Sequence, residues 1–230
     1  MTRKQEKAVV LLSGGVDSST CLAIAASQGF SCFAMSFRYG QRNDLELSSA
    51  SRVAQAFAVV EHRVVELGLD AIGGSVLTSE GEVPKSPDGL TPTSAKGAVP
   101  ATYVPARNSI FLSVGAAWAE VLGTDHLFIG VNQVDFSGYP DCRPEFILAI
   151  QQALRLGMRR SSLIIHAPLQ YLSKGEIIRW GVELGLDYGL TWSCYDPQHG
   201  LACGCCDSCV YRKNGFIQAR IADPTQYVRA

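Results

Sequence analysis

The chain has 230 residues, 47% of them hydrophobic, and its 20 Lys and Arg against 21 Asp and Glu leave a net charge of −1. That length suits one large α/β domain or one domain with an appendage, and the balanced charge excludes a protein that coats nucleic acid or membrane, which needs a cationic excess. The short apolar run near the N-terminus ends in a glycine turn, and no stretch approaches the ~18 apolar residues of a membrane span. A cytoplasmic location is therefore expected, and the eight cysteines then point to metal or redox chemistry more than to disulfides.

Val9-Val10-Leu11-Leu12 reads as a strand covered on both faces. Gly14 and Gly15 follow it as a tight turn, and Asp17, Ser18 and Ser19 are cap-forming types for a helix expected over 18–28. Unpaired backbone N–H groups at such a terminus, together with the helix dipole, make an anion site. No Lys follows the glycines as a Walker A loop requires. Ser13-Gly14-Gly15-Val16-Asp17-Ser18 instead resembles the PP-loop of ATP pyrophosphatases, which implies a loop that holds ATP phosphates.

Further elements follow in alternation: a strand over 31–37, a turn through Arg38-Tyr39-Gly40-Gln41-Arg42, a helix over 43–58 and a strand over 62–67. Polar groups just past a strand's carboxyl end, such as Arg42, lie where open α/β sheets bind ligands, although a solvated loop explains them equally. Residues 69–101, rich in Gly, Ser, Thr and Pro, have no sustained period and read as a partly mobile flap or as disorder. Asn108 is a candidate cap for a helix over 109–122, with Arg107 beside it near the crevice or on the surface.

A strand over 126–131 leads into Asn132-Gln133-Val134-Asp135-Phe136-Ser137-Gly138-Tyr139-Pro140-Asp141-Cys142-Arg143. Carboxylates such as Asp135 and Asp141 accept N–H bonds from a purine-like edge, and Phe136 and Tyr139 cover a flat ring; the alternative is a loop whose Asp residues cap turns. Pro144 opens a helix through about Leu156, a strand covers 163–166, and Ser173 with Glu176 forms a capping-box pattern. Lys174 at that helix start opposes the dipole, which a neighbouring phosphate would justify.

The last third carries Cys194 and then Cys203-Gly204-Cys205-Cys206-Asp207-Ser208-Cys209. Cys194, Cys203, Cys206 and Cys209 have the spacing of a tetrahedral zinc site, with an iron–sulfur cluster or a redox pair as alternatives. Cys205 competes as a ligand, but Cys206 keeps the paired two-residue spacing. Four thiolates leave no open position, so such a metal is structural.

Both ends together are similar to the 7-cyano-7-deazaguanine synthase family of queuosine biosynthesis, within the PP-loop ATP pyrophosphatase superfamily. The resemblance covers nearly the whole chain and rests on the opening glycine motif, Tyr39-Gly40-Gln41-Arg42, Val104-Pro105-Ala106-Arg107-Asn108, Asp135-Phe136-Ser137-Gly138-Tyr139-Pro140-Asp141-Cys142-Arg143 and the cysteine cluster. Val16, Asn43, Ala106 and Cys205 depart from residues common in the family.

The resemblance implies a Rossmann-like doubly wound parallel sheet over 1–190 and a zinc-binding helical segment over 191–230. It implies an ATP-dependent ligase that turns 7-carboxy-7-deazaguanine and ammonia into the nitrile by adenylating the carboxylate. ATP, Mg²⁺ and one structural Zn²⁺ per subunit would be its cofactors, and a homodimer its assembly, with no nucleic acid or membrane partner. Leu12, Ser13, Gly14, Gly15, Val16, Asp17, Ser18, Ser19, Thr20, Cys21 and Leu22 would form the nucleotide site, with Asp17, Lys174 and Arg107 catalytic. Arg42, Asn108, Asp135, Phe136, Ser137, Gly138, Tyr139 and Asp141 would hold the substrate. The competing readings are a PP-loop amidotransferase or NAD synthetase-like ligase, a tRNA-thiolating enzyme, and a zinc-ribbon binding module without catalysis.

Overall fold

The computed structural model describes residues 5–94, 98–133 and 138–228. Its centre is a five-stranded parallel sheet in the order β3-β2-β1-β4-β5, built from β1 (Lys7–Leu11), β2 (Ser31–Arg38), β3 (Glu61–Glu66), β4 (His126–Phe128) and β5 (Ile164–His166). Strand β1 lies in the middle, which explains why its sequence is apolar from Ala8 to Leu11: both faces are covered.

The faces separate by the two-residue period of a strand. Val9 and Leu11 of β1, Phe33, Met35 and Phe37 of β2, and Leu127 of β4 join one apolar core. Ala8 and Val10, Cys32 and Ala34, and Phe128 join the other. Helices α1 (Val16–Ser27) and α2 (Leu45–Ala56) cover the second face, while α3 (Arg107–Leu122) and α4 (Pro144–Gly157) cover the first. Helices α5 (Lys174–Glu183) and α6 (Asp207–Ala219) return to the second face beside α1. The sheet is thus doubly wound, as the sequence implied. Each fully buried anchor, such as Leu22, Leu127 or Ile177, contributes about 1.5–3 kcal/mol of apolar burial.

Two helix starts differ from the sequence reading. Helix α1 begins at Val16 with Gly15 as its extended cap and no side-chain cap bond, so Asp17 and Ser18 lie inside the first turn. Asn108 likewise does not cap α3; the cap is Ala106, in the left-handed region at φ 55°. A carboxylate from elsewhere does the capping: the Asn108 N–H donates to Asp141 Oδ2 at 3.0 Å. At α5 the expected capping box forms, with Ser173 and Glu176 bonded reciprocally.

The described part of 69–101 runs from the mouth of the sheet to the cysteine segment. Ser86 N–H donates to Cys205 O at 2.7 Å, and Thr93 bonds Asp207 through its N–H at 2.8 Å and its hydroxyl at 3.0 Å. Asn214 Nδ2 reaches Leu90 O at 2.9 Å. The expected flap is therefore anchored on the start of α6, in a region far from it in sequence.

Candidate active site

Strand order reverses between β1 and β4, and in open α/β sheets the crevice at that switch binds ligands. An open cleft with a volume of about 220 Å³ lies there. Its floor is the turn after β1: Leu11, Leu12, Ser13, Gly15, Val16, Asp17 and Ser18 line it. Ser19 N–H donates to Gly15 O at 3.1 Å as the first helical bond, so the preceding N–H groups of the helix start have no intrahelical acceptor. Ser18 Oγ braces the turn, accepting from Ser13 N–H at 3.1 Å and lying 2.9 Å from Ser13 Oγ.

Two glycines make this floor possible. Gly14 has φ +83°, and a Cβ there would come within 2.5 Å of Ala50 N and Glu46 O on α2. Gly130, after β4, would put a Cβ 2.8 Å from the Asp17 carbonyl carbon. Helix α1 can approach the end of β4 only because that position lacks a side chain.

Asp17 and Lys174 meet across the floor. Lys174 Nζ donates to Asp17 Oδ1 and Oδ2 at 2.7 and 2.8 Å, with the lysine side chain 6% and the aspartate 18% exposed. Lys174 is pressed into place by α6, because a Cβ on Gly215 would overlap Lys174 Cγ. A cation held at the meeting of two helix starts, α1 and α5, needs a negative partner; Asp17 is one, and a phosphate would be a second.

The opposite wall carries Arg107, Asn108, Tyr139 and Cys142. Arg107 Nη1 donates to Tyr39 Oη at 3.3 Å and its guanidinium lies 5.7 Å from that ring's centroid. It remains charged despite its burial, held by surrounding tyrosines and Asp141. Phe37 and Phe111 stack at 4.0 Å under Tyr39, and Trp192 and Tyr195 complete an aromatic rim. Burial pushes the Tyr39 hydroxyl up to about 12, with Arg107 opposing that shift.

The expected site residues divide accordingly. Asp17, Lys174, Arg107, Asn108, Tyr139 and the turn from Leu12 to Ser18 converge on the cleft, with Gly14 shaping it from behind. Ser19, Thr20, Cys21 and Leu22 do not line it: the helical period turns them into the core, where Thr20 Oγ1 lies 2.7 Å from Tyr188 Oη. Arg42 is exposed and donates to the carbonyls of Val76 and Gly81 rather than facing the cleft. Asp141 is buried and does not line the cleft; its Oδ2 accepts from the start of α3, and its Oδ1 has no hydrogen-bond partner among the described residues. Gly138 is a close-approach position, where a Cβ would overlap Ala98 O. Asp135, Phe136 and Ser137 lie outside the described residues.

Sequence reasoning missed Glu46, Trp192, Tyr195 and Arg212. Arg212 is 2% exposed and held by Asp223 at 3.0 Å, Thr191 at 2.8 Å and the Tyr188 carbonyl at 3.0 Å. A cationic residue at helical spacing on α6 looks solvated until the docking of the C-terminal tail is known.

Cys194, Cys203, Cys206 and Cys209 form a buried group whose sulfurs all lie within 4.8 Å of one another; Cys205 is outside it and half-buried. Cys206 caps α6, and Cys209 follows in its first turn. Cys203 N–H donates to Cys194 Sγ at 3.2 Å and Cys206 N–H to Cys203 Sγ at 3.3 Å. Cys203 and Cys206 are driven towards thiolate chiefly by hydrogen bonding from Cys194, while Cys194 and Cys209 are driven up. Four sulfurs this close cannot all ionise unaided, and a central cation removes that conflict; the set fits a tetrahedral metal. Lys85 Nζ, paired with Asp196 at 2.7 Å, adds a positive charge beside Cys203.

A doubly wound parallel sheet with a glycine turn and a lysine–aspartate pair at its switch point defines a PP-loop type of α/β enzyme. The structure is similar in fold to NMN synthetase from Francisella tularensis, with a TM-score of 0.51 at 16% identity over 95% of this chain and 79% of that one. The family model described as "Queuosine biosynthesis protein QueC" matches residues 7–220, and the chain belongs to that family. Among its relatives, a 7-cyano-7-deazaguanine synthase of Syntrophobacter fumaroxidans is 56% identical over 98% of this chain and 97% of its own length. One from Pseudomonas aeruginosa is 53% identical over 97% of this chain and 99% of its own length. Among the described residues no helix is long and apolar enough to cross a membrane.

Proposed function

We propose that the chain converts 7-carboxy-7-deazaguanine and ammonia to 7-cyano-7-deazaguanine at the expense of ATP. The observation that carries this reading is the joint opening of the glycine turn, the Asp17–Lys174 pair and Arg107 into one cleft with an aromatic rim. The name of relatives matched over nearly their whole length, 7-cyano-7-deazaguanine synthase, supports this product.

The chemistry follows from the inertness of a carboxylate, whose charge repels a nucleophile and whose oxygen leaves poorly. The substrate carboxylate attacks the α-phosphorus of ATP, and pyrophosphate departs. The helix-start N–H groups of α1 hold the phosphates, and Lys174 and Arg107 offset charge as the phosphorus becomes more crowded. Asp17 keeps Lys174 aimed at that site. Mg²⁺ would offset phosphate charge there, and Asp17, one of the two carboxylates lining the cleft among the described residues, would help hold it beside Lys174, in keeping with the one or two carboxylates such ions take beside phosphates. Asn108 and Tyr139 then contact the deazaguanine, with Trp192, Tyr39 or Tyr195 covering the ring. The tight grouping of reactants is the main source of rate.

The metal of the four-cysteine group is assigned as Zn²⁺, in a closed structural site that ties the loop from Cys194 to the start of α6 at Cys209. Such reduced thiols suit the cytoplasm. A homodimer is the assembly expected from the family resemblance. The direct test is pyrophosphate release from ATP: it should depend on 7-carboxy-7-deazaguanine and disappear when the carboxylate is replaced by hydrogen. Equal release with both compounds overturns the reading.

A further inference from the structure

We propose that Glu46 is the catalytic base that takes a proton from the incoming nitrogen nucleophile; this assignment rests on the function proposed above. Glu46 lies in the first turn of α2, against the glycine turn that shapes the nucleotide site. A glutamate there ordinarily faces solvent and complements the helix dipole. This one lines the cleft. Asp17 and Glu46 are the two carboxylates lining it among the described residues, and Asp17 carries the ion pair with Lys174 beside the phosphate site. The Glu46 carboxylate makes no hydrogen bond or ion pair among the described residues, so it is open to a ligand.

Its surroundings suit proton transfer. Burial pushes its pKa up to about 7, and the positive charge of Arg107 on α3 acts in the opposite direction. Tyr39, after β2, and Tyr195, beside the cysteine group, face it and stay protonated through burial. The paired charges of Asp17 and Lys174 lie on the same cleft from α1 and α5. A base works best when its pKa lies near the working pH.

The step balances as follows. Ammonia donates its lone pair to the acyl carbon of the adenylated substrate, and the new nitrogen carries a positive charge. Glu46 takes one N–H proton, so the adduct collapses by breaking the C–O bond to AMP and not the new C–N bond. AMP leaves with the electron pair, the amide remains, and Glu46 returns its proton to solvent. When the amide oxygen attacks the α-phosphorus of a second ATP and pyrophosphate departs, the nitrogen still carries two protons: one passes to solvent to give the neutral O-adenylated imidate, and Glu46 takes the other as the C–O bond to AMP breaks and the nitrile forms.

The test separates activation from amination in the full-length, metal-loaded protein. Exchange of labelled pyrophosphate into ATP, with 7-carboxy-7-deazaguanine and no ammonia, reports activation. Product formation between about pH 5.5 and 8.5, at constant free ammonia, reports amination. Glu46→Gln should lower amination about 10²–10³-fold and abolish the acid limb near neutrality, while exchange stays within about threefold of wild type. Should the glutamine variant fail to fold, Glu46→Asp carries the test: exchange is kept, amination is weakened, and the acid limb persists. Exchange falling in step with amination, or an acid limb that survives in Glu46→Gln, overturns the proposal. No carboxylate-dependent exchange in the wild type is a different result, and it removes the proposed function itself.

Discussion

Replacing Asp17 by Ala removes a carboxylate that accepts two contacts from the Lys174 ammonium, in a place where only 6% of that side chain is exposed. Removing one partner of a fully buried pair costs about 3–5 kcal/mol. Asp17 is 18% exposed and opens onto the cleft, so water can replace part of the lost interaction; about 2–3 kcal/mol is the expected loss. For a domain of this length that lowers the melting temperature by about 5–10 °C. Lys174→Met removes the buried ammonium itself, so the double variant should recover part of the loss, giving a coupling of about 1–3 kcal/mol in a double-mutant cycle. The assay is denaturant or thermal unfolding of the wild type, both single variants and the double variant, with metal content measured in each. Turnover should be abolished in Asp17→Ala while the metal stays bound, since the four cysteines lie in a separate part of the chain. Additive stabilities, or full activity in Asp17→Ala, would refute the assigned role of the pair.

Two further outcomes follow from the packing. Cys206→Ser should release the metal and loosen residues 82–94, which hydrogen-bond to the cysteine segment and the start of α6, whereas Cys205→Ser should retain full metal content; metal analysis with limited proteolysis distinguishes them. His166, stacked on Phe128 at 4.2 Å and 2.9 Å from His126, has its pKa lowered to about 4 by burial and by that second histidine. The unfolded chain then binds more protons between about pH 6.5 and 4, so stability from this group is present above 6.5 and is lost as pH falls to 4; His166→Phe should make that part of the pH–stability curve shallower.

Local signals that carry their own mechanism were readable in the sequence. The apolar run of β1, the glycine turn, the Ser173–Glu176 box and the four-cysteine spacing each need only neighbours in the chain. What failed depends on contacts from a distance. Asn108 has a cap-forming side chain, yet the α3 terminus is satisfied by Asp141, 33 residues away. Arg42 follows a strand end, yet carbonyls of the 69–101 segment claim it. Ser19, Thr20, Cys21 and Leu22 continue the opening motif, yet the helical period turns them into the core, which a linear motif does not show. Glu46 was passed over because a glutamate in a helix's first turn has an ordinary explanation, and only the cleft shows otherwise.

The central claim is that this cleft activates a carboxylate so that nitrogen can replace its oxygens. Incubating the protein with ATP, Mg²⁺, ammonium and 7-carboxy-7-deazaguanine, and reading the base by mass, tests it most directly. The account predicts the mass of 7-cyano-7-deazaguanine, dependent on both ATP and ammonium; unchanged acid under those conditions would contradict it.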